Sequence, residues 1–255
     1  MPKEISLVVI LLALIAFGGL ASAQTSVCDP WPLSDVALIF AGPPLYEYCV
    51  SNHGNIVHLE TPLGFNHLVP GHLSEGYGLC DVGSNTAYYD YADGGATSNW
   101  LPPNVGRSYP LVIERTTSDG LWKLTQTFTA AADGSIKIKM ELANHNLQGT
   151  SRKANLVRFA NVNVNSNASN LFLITASSVV AGSPAGGSPG IQLRDGGKTP
   201  NTPIGLTKPD VPDPCNPTAN SNAPFFTSDG AEELLYVLAV PNGGTKTANV
   251  LYRPF

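Results

Sequence analysis

The fold is decided most clearly by residues 121–144, which read LWKLTQTFTAAADGSIKIKMELAN. From 122 to 128 and again from 136 to 142, one mostly apolar set of residues alternates with Lys, Thr, Glu and Ala. A period of two places one set of side chains on a core face and the other in solvent. Asp133-Gly134 lies between the two runs, and glycine supplies the positive φ that tight hairpin turns need. The stretch therefore predicts an antiparallel hairpin.

The same pattern extends on both sides of this hairpin. A second Asp-Gly pair precedes it at 119–120, and further strands are predicted at about 155–165 and 171–180. Short connections join these strands, so we expect a central meander of five strands over about 109–180. Shorter strand candidates lie at 36–40, 46–50, 56–59, 87–91, 234–240 and 248–252. No window has helical periodicity with caps, so the sequence predicts an all-β, antiparallel β-sandwich; a larger, twisted two-sheet sandwich is the alternative architecture.

Residues 182–224 are rich in Pro, Gly, Asn and Ser. This composition predicts a long surface loop, from which the chain returns to a final hairpin. Loops of this length are uncommon, and they are usually functional, pinned or mobile. Cys215 lies within the segment and favours a pinned loop.

The first 23 residues have the pattern of an export signal. Lys3 precedes a nearly unbroken apolar run from Ile5 to Leu20, and Ala21-Ser22-Ala23 supplies the small residues of a cleavage site. The run is shorter than the roughly 20 apolar residues that span a membrane. We therefore expect residues 1–23 to be a cleaved signal peptide and residues 24–255 to be one secreted domain, extracellular or periplasmic, without a membrane span. An uncleaved membrane anchor is the alternative.

The cysteines fit this location. The chain has four, Cys28, Cys49, Cys80 and Cys215, and an even number in an oxidising compartment favours disulfide bonds. Three pairings are possible, and the sequence does not choose among them. We favour Cys28–Cys49, closing an N-terminal loop, with Cys80–Cys215 pinning the long loop to the body. No C-x-x-C pair is present, which makes structural zinc the weaker alternative.

Charged residues are sparse, at 13% of the chain, and the formal net charge is −5. The sequence has no basic cluster, which is the usual mark of proteins that bind nucleic acid or anionic lipid. We therefore expect no nucleic-acid partner.

Two kinds of metal site deserve consideration. Four histidines fall within one short stretch: His53, His58, His67 and His72. With Glu60 or Glu75 they could hold a transition metal, but their spacing matches no zinc signature. Asp90 and Asp93 could hold a structural calcium, but the EF-hand series of ligands is missing. We therefore expect no metal and no cofactor.

The segment from 71 to 100 combines tight glycine turns with carboxylates and aromatic rings. Carboxylates accept hydrogen bonds from sugar hydroxyls, and aromatic faces pack against sugar rings. The ligand-binding candidates are Glu75, Tyr77, Asp90, Asp93 and Trp100. If the protein is an enzyme, a pair of carboxylates could serve as acid and base in glycoside cleavage. The candidates for that role are Glu75, Asp81 and Asp90. The alternative is that these aromatic residues form an ordinary strand and pack in the core.

The strand predicted at 155–165 carries polar residues among apolar ones. If Arg158 is buried, it must pair with a carboxylate, for which Glu114 and Glu141 are candidates. Three asparagines share the other face of this strand: Asn161, Asn163 and Asn165. They could hydrogen-bond a polar ligand in a row, although such a face is more often solvated or bonded to a neighbouring strand.

Three functions remain open from the sequence. The favoured hypothesis is a secreted binding module for a carbohydrate or a cell-surface polymer. The second is an extracellular carbohydrate-active enzyme that uses paired carboxylates. The third is a structural or adhesive surface domain without a small-molecule site. An enzyme needs two carboxylates facing one cleft, whereas a binding module needs an exposed aromatic platform.

Overall fold

The computed structural model describes most of the chain after residue 35. The described residues are 28, 36–42, 46–60, 66–68, 75–91, 97–131, 133–145, 149, 151–183, 190–196, 201–206, 212–217 and 224–254. Residues 1–23 lie outside this set, so the signal peptide stays a prediction. In the described ranges, no helix has the length and apolar character that a membrane crossing requires.

The described residues form three antiparallel sheets, which confirms the predicted all-β fold. In chain order the strands are β1 (Val36–Gly42), β2 (Tyr46–Ser51), β3 (Ile56–Glu60), β4 (Glu75–Asp81), β5 (Thr86–Tyr91), β6 (Thr97–Ser98), β7 (Asn104–Gly106), β8 (Leu111–Thr116), β9 (Trp122–Ala130), β10 (Ile136–Asn144), β11 (Arg152–Val162), β12 (Asn170–Ile174), β13 (Ser178–Gly182), β14 (Gly190–Asp195), β15 (Asn201–Leu206), β16 (Phe225–Ser228), β17 (Gly230–Val240) and β18 (Thr245–Pro254). A 3-10 turn at Val164–Ser166 follows β11.

The largest sheet has nine strands in the order β16-β12-β13-β14-β18-β10-β9-β8-β7. The stretch at 121–144 forms its β9–β10 hairpin, in register from Trp122 opposite Asn144 to Ala130 opposite Ile136. Alternate positions along both strands are buried, as the sequence pattern predicts. β18 pairs with β10 on one side and with β14 on the other, and so it joins the two halves of this sheet.

The second sheet has six strands in the order β15-β17-β11-β4-β5-β6. This order corrects the predicted five-strand meander over 109–180. β8, β9 and β10 do follow one another in the nine-stranded sheet, but β11 crosses to the other sheet and pairs with β4 and β17. The physical reason is that β11 is buried on both faces over most of its length, which requires a central position in a covered sheet.

The predicted 182–224 loop is also corrected, because β14 and β15 interrupt it. Ile191 and Leu193 of β14 are buried in the core. β14 pairs with β13 and β18, and β15 pairs with β17. Between β15 and β16 the structure describes residues 212–217, which lie against the six-stranded sheet. We call residues 212–217 the strap.

Both favoured disulfide pairings are confirmed. Cys28 is bonded to Cys49, with 5.8 Å between the Cα atoms. Cys80 of β4 is bonded to Cys215 of the strap across a sequence separation of 135 residues. Two disulfides indicate an oxidising compartment.

The nine-stranded and six-stranded sheets pack face to face as a sandwich. Trp122 and Phe128 from one sheet share a buried cluster with Leu156 and Tyr236 from the other, and Ile56 of β3 joins it. Burying a large apolar side chain stabilises a fold by about 1.5–3 kcal/mol. The three-stranded sheet, in the order β1-β2-β3, thus packs against the same core.

Candidate functional site

Glu75 of β4 and Arg158 of β11 form an ion pair in the core, where neither side chain has exposed surface. The Arg158 Nε donates to Glu75 Oε1. Its Nη1 donates to Gln126 Oε1 at 2.7 Å, and both Nη groups donate to the carbonyl of Gly54 at 3.2 Å. A buried charge is tolerated when it is paired and its other donors find acceptors. Arg158 meets both conditions.

Two further donors complete the surroundings of Glu75. The hydroxyl of Tyr252 donates to Oε1 at 2.5 Å, and the backbone N–H of Ile56 donates to Oε2 at 2.6 Å. Burial raises the pKa of the Glu75 carboxyl, while the charge of Arg158 and these hydrogen bonds act in the opposite direction. Glu75 thus anchors β3, β11 and β18 at one point.

The expectation that Arg158 pairs with Glu114 or Glu141 is wrong. Both glutamates lie on the half-exposed surface of the nine-stranded sheet. Glu114 pairs with Lys123 at 2.6 Å, and Glu141 pairs with Lys139 at 2.8 Å. The prediction failed because it assumed that β11 lies in the same sheet as these residues.

A second buried ion pair joins Asp90 of β5 to Arg115 of β8. The Arg115 Nη1 lies 2.5 Å from Asp90 Oδ2, and His53 Nδ1 lies 3.0 Å from the same oxygen. The guanidinium of Arg115 lies over the Trp100 ring at 5.6 Å, and Trp100 meets Tyr77 edge to face at 5.7 Å. Cations over aromatic faces are stabilised by the ring quadrupole. The His53 side chain is 43% exposed and connects this pair to the surface.

The turn between β2 and β3, residues 52–55, lies against both ion pairs. The hydroxyl of Tyr77 donates to the carbonyl of His53 at 2.9 Å. The Asn55 side chain donates to the carbonyl of Asp90 at 2.9 Å. The turn is therefore held by the same buried polar groups that it shields from water.

The structure brings four of the five predicted ligand-binding residues together, and all four are buried: Glu75, Tyr77, Asp90 and Trp100. Asp93 lies outside the described residues. Trp100 keeps 9% of its surface exposed, so a sugar cannot stack on its ring in this conformation. Ligand binding by these residues stays a prediction.

Asp81, the third predicted catalytic carboxylate, lies at the opposite end of β4 from Glu75. Its Oδ2 accepts from Arg152 Nε at 3.0 Å, and its Oδ1 accepts from the backbone N–H of Gly83 at 3.0 Å. Glu75, Asp81 and Asp90 are therefore each paired with an arginine.

The other side of the six-stranded sheet carries a second cluster, for which the sequence raised Asn161 as a possible ligand contact but did not predict the group as a whole. It consists of Tyr89, Tyr91, Phe159, Asn161 and Glu233, and we call it the Glu233 face. Strand alternation directs these side chains away from the sandwich core. Tyr91 stacks on Tyr89 with 5.7 Å between ring centroids and meets Phe159 edge to face at 5.6 Å. Phe159 lies directly opposite Glu233 in the register of β11 and β17.

A glycine in β4 leaves room for these rings. A Cβ atom at Gly78 would lie 2.5 Å from the hydroxyl oxygen of Tyr91 and 3.2 Å from the ring of Pro214 in the strap. Because the position has no side chain, Tyr91 reaches across β4 and donates to the carbonyl of Pro212 at 2.8 Å.

The strap is fixed over this side of the sheet at three points. Tyr91 holds one end, and the Asn155 side chain donates to the carbonyl of Pro214 at 3.2 Å. The Cys80–Cys215 disulfide provides the third attachment. The strap therefore covers this side of the sheet at Gly78 and Tyr91.

Glu233 and Asn161 each have a buried oxygen that finds no partner in the part of the chain that the structure describes. The Glu233 Oε1 and the Asn161 Oδ1 make no hydrogen bond among the described residues. Leaving a buried polar group unpaired costs about 1–3 kcal/mol, so such groups need an explanation. Burial also raises the pKa of Glu233 to about 7. A carboxyl of this kind can gain or lose a proton near neutral pH.

The sequence did contain a signal for this site. Glu232 and Glu233 begin an otherwise apolar strand, and alternation places one carboxyl on each face of it. Glu232 faces the sandwich core, where its carboxyl lies near the backbone N–H groups of Leu193 and Ala181. Burial raises the pKa of Glu232 well above its ordinary value, and the backbone N–H groups of Leu193 and Ala181 oppose this shift.

Metal-binding residues do not cluster in the part of the chain that the structure describes. There, no group of three or more His, Cys, Asp and Glu side chains could hold an ion. His53 contacts Asp90, and His58 contacts Glu60 at 3.3 Å. His72 lies outside the described residues.

Comparison with known proteins identifies a shared fold. No family model and no curated protein matches the sequence. A bacterial glucoamylase in complex with acarbose matches 87% of this chain and 32% of its own, with a TM-score of 0.58 and 9% identity. The chain thus spans about a third of the length of that glucoamylase. At this identity the match shows the fold alone.

Two other solved structures are also similar. A 4-alpha-glucanotransferase from Thermococcus litoralis matches 85% of this chain and 37% of its own, with a TM-score of 0.49 and 11% identity. A galactose mutarotase related enzyme from Lactobacillus acidophilus matches 86% of this chain and 97% of its own, with a TM-score of 0.47 and 6% identity.

Proposed function

We propose that this protein is a secreted carbohydrate-binding domain and that the Glu233 face holds the sugar. The observation that carries the proposal is a pair of buried oxygens, Glu233 Oε1 and Asn161 Oδ1, that have no partner among the described residues and lie on the same face as the rings of Tyr91 and Phe159. A sugar offers hydroxyl donors for such oxygens and a C–H surface for the half-buried ring of Tyr89, which stacks on Tyr91.

The energetics favour a ligand rich in donors. Each buried oxygen without a donor costs about 1–3 kcal/mol, and a ligand hydroxyl would remove that cost on binding. Because Glu233 is protonated below a pKa of about 7, it can also donate to a hydroxyl oxygen under mildly acidic conditions. A purely apolar ligand would leave both groups unsatisfied.

Access to this face begins at Tyr89. It is the half-buried ring of the cluster, whereas Tyr91 and Phe159 are fully buried. A sugar would first contact Tyr89, and it would reach Glu233 only in a conformation that opens this buried face. The strap is attached to the same side of the sheet, so we expect its attachment to influence binding.

Two wider observations agree with this proposal. The disulfides fit an exported protein, which meets polysaccharides and cell-surface glycans. The fold is shared with part of a glucoamylase whose structure contains acarbose. A fold hosts many functions, so the proposal depends on the Glu233 face itself.

A second candidate function is catalysis of proton transfer on a sugar. The pKa of about 7 at Glu233 favours it, because general acids and bases work best when their pKa is near the operating pH. Glu75, Asp81 and Asp90 are each paired with an arginine, so Glu233 replaces them as our candidate for this role.

The test is a glycan array followed by calorimetric titration of the best sugar. We expect Glu233→Gln and Asn161→Ala to weaken binding, because each changes an oxygen that faces the ligand. Glu232→Gln is the matched control, since it alters the adjacent buried carboxyl on the opposite face of β17. Binding that both glutamine variants weaken equally would contradict the proposed site.

A screen without any bound glycan would favour the structural or adhesive alternative. For the enzyme alternative, turnover should depend on pH with a midpoint near 7 in the wild-type protein and lose that dependence in Glu233→Gln. Turnover that retains the same pH profile in this variant would exclude Glu233 as the proton-transfer group.

A further inference from the structure

A separate cleft lies at the rim of the sandwich, where the β4–β5 turn meets the start of β11. Its volume is about 390 Å³. It is lined by Asp81, Val82, Gly83, Ser151, Arg152 and Lys153, and we call it the rim cleft. We infer that the rim cleft binds the carboxylate of an acidic sugar.

The buried Asp81 holds Arg152 in place for this role. Asp81 has no exposed side-chain surface, and its Oδ2 accepts from both Nε and Nη2 of Arg152. A guanidinium has five N–H donors, so the groups left over remain available to a second acceptor. The Arg152 side chain is 24% exposed at the cleft, which lets a ligand carboxylate reach it.

The charge of the rim cleft is positive although the chain carries −5 overall. Asp81 and Arg152 neutralise each other, and Lys153 adds one positive charge. Lys153 is exposed and forms no ion pair within the described ranges. A carboxylate would therefore meet the oriented guanidinium of Arg152 within the positive field of Lys153, whose side chain strand alternation directs to the other face of β11.

The remaining lining suits the body of a sugar. Val82 is 43% exposed and offers an apolar contact, and Ser151 offers a hydroxyl. The backbone N–H of Val82 donates to the carbonyl of Lys153 at 3.0 Å, which ties the two walls of the cleft together. The sugar part of this inference rests on the proposed function, whereas the carboxylate part rests on the cleft alone.

The experiment is chemical-shift mapping of the 15N-labelled mature protein. The probes are D-glucuronate, its neutral methyl ester, D-glucose and acetate at matched ionic strength. We expect D-glucuronate to shift the amide signals of residues 81–83 and 151–153, and the ester and glucose to leave them unchanged. Equal shifts with the ester, or no shift with D-glucuronate, would overturn the inference. Acetate binding as tightly as D-glucuronate would overturn its assignment to a sugar.

Variants of exposed lysines make the test specific. Lys153→Gln should weaken D-glucuronate binding by up to about fivefold, the range for an exposed ion pair. Lys137→Gln is the matched control, because Lys137 is an exposed lysine on β10 of the other sheet. Equal weakening by both variants would count against the rim cleft. Arg152 is left intact, since its loss would leave Asp81 buried and unpaired.

The Glu233→Gln protein separates this inference from the proposed function. We expect the D-glucuronate shifts at the rim cleft to persist in that variant. Their loss there would assign the signal to the Glu233 face and overturn a separate site. Failure of neutral sugars to bind the wild-type protein would affect only the proposed function.

Discussion

Replacing Glu233 by glutamine should change how the stability of the protein depends on pH. Burial raises the pKa of this carboxyl from 4.5 to about 7 in the folded protein. Below about pH 4.5 the group is protonated in both states, and it affects stability little. As the pH rises toward 7, the unfolded chain releases the proton and the folded chain keeps it, so folding becomes less favourable. Each pH unit between the two values costs about 1.4 kcal/mol, which gives about 3 kcal/mol above pH 7.

The assay is urea denaturation at pH 5 and pH 8.5 with the disulfides intact. For the wild-type protein, we expect the free energy of unfolding to be lower at the higher pH. In Glu233→Gln this loss should be smaller by about 2.5 kcal/mol, because the amide does not titrate and a small part of the effect already falls below pH 5. The Glu75 and Glu232 carboxyls also have a raised pKa and are unchanged in the variant, so the comparison isolates Glu233. The same loss of stability in both proteins would refute the reasoning, and Glu141→Gln controls for a half-exposed glutamate.

Three further perturbations test the architecture. Arg158→Met should lower the free energy of unfolding by about 3–5 kcal/mol, because it leaves Glu75 buried without its partner. The double variant that also carries Glu75→Met should lose much less stability. Chemical denaturation of both variants distinguishes these outcomes, and equal losses would contradict a tight pair. Replacing both Cys80 and Cys215 by serine should lower the free energy of unfolding by about 2–4 kcal/mol, since the disulfide closes a long loop. An unchanged denaturation midpoint would show that the strap is held in place without the disulfide. Gly78→Ala should cost about 1–3 kcal/mol in thermal or chemical unfolding through crowding beneath the strap, and a wild-type melting temperature would show that the strap yields easily.

Local alternation was enough to predict the β9–β10 hairpin, because each strand contacts its sequence neighbour there. It could not predict the sheet to which β11 belongs, since that depends on partners far away in the sequence. The same difficulty explains the partner of Arg158. Its need for a carboxylate follows from burial alone, but the choice of Glu75 follows from the pairing of β4 with β11.

The composition of residues 182–224 led to a wrong loop prediction, because pairing with distant strands outweighs the local preference there. Gly190, Ile191 and Leu193 lie in a segment dominated by turn-forming residues, and yet they form a strand because β13 and β18 flank them. For the candidate site, the residue types did predict side chains that lie together: Glu75, Tyr77, Asp90 and Trp100 are neighbours in the structure. Their types do not show which face of the sheet other elements cover, and so they did not predict that these side chains are buried.

The position of β18 has a consequence for the order in which the chain can fold. Residues 245–254 form the strand that joins β10 to β14, and these two strands are completed long before it in the order of synthesis. Until β18 is available, each half of the nine-stranded sheet presents an unpaired edge, and such edges promote aggregation. A nascent chain therefore gains little by folding early.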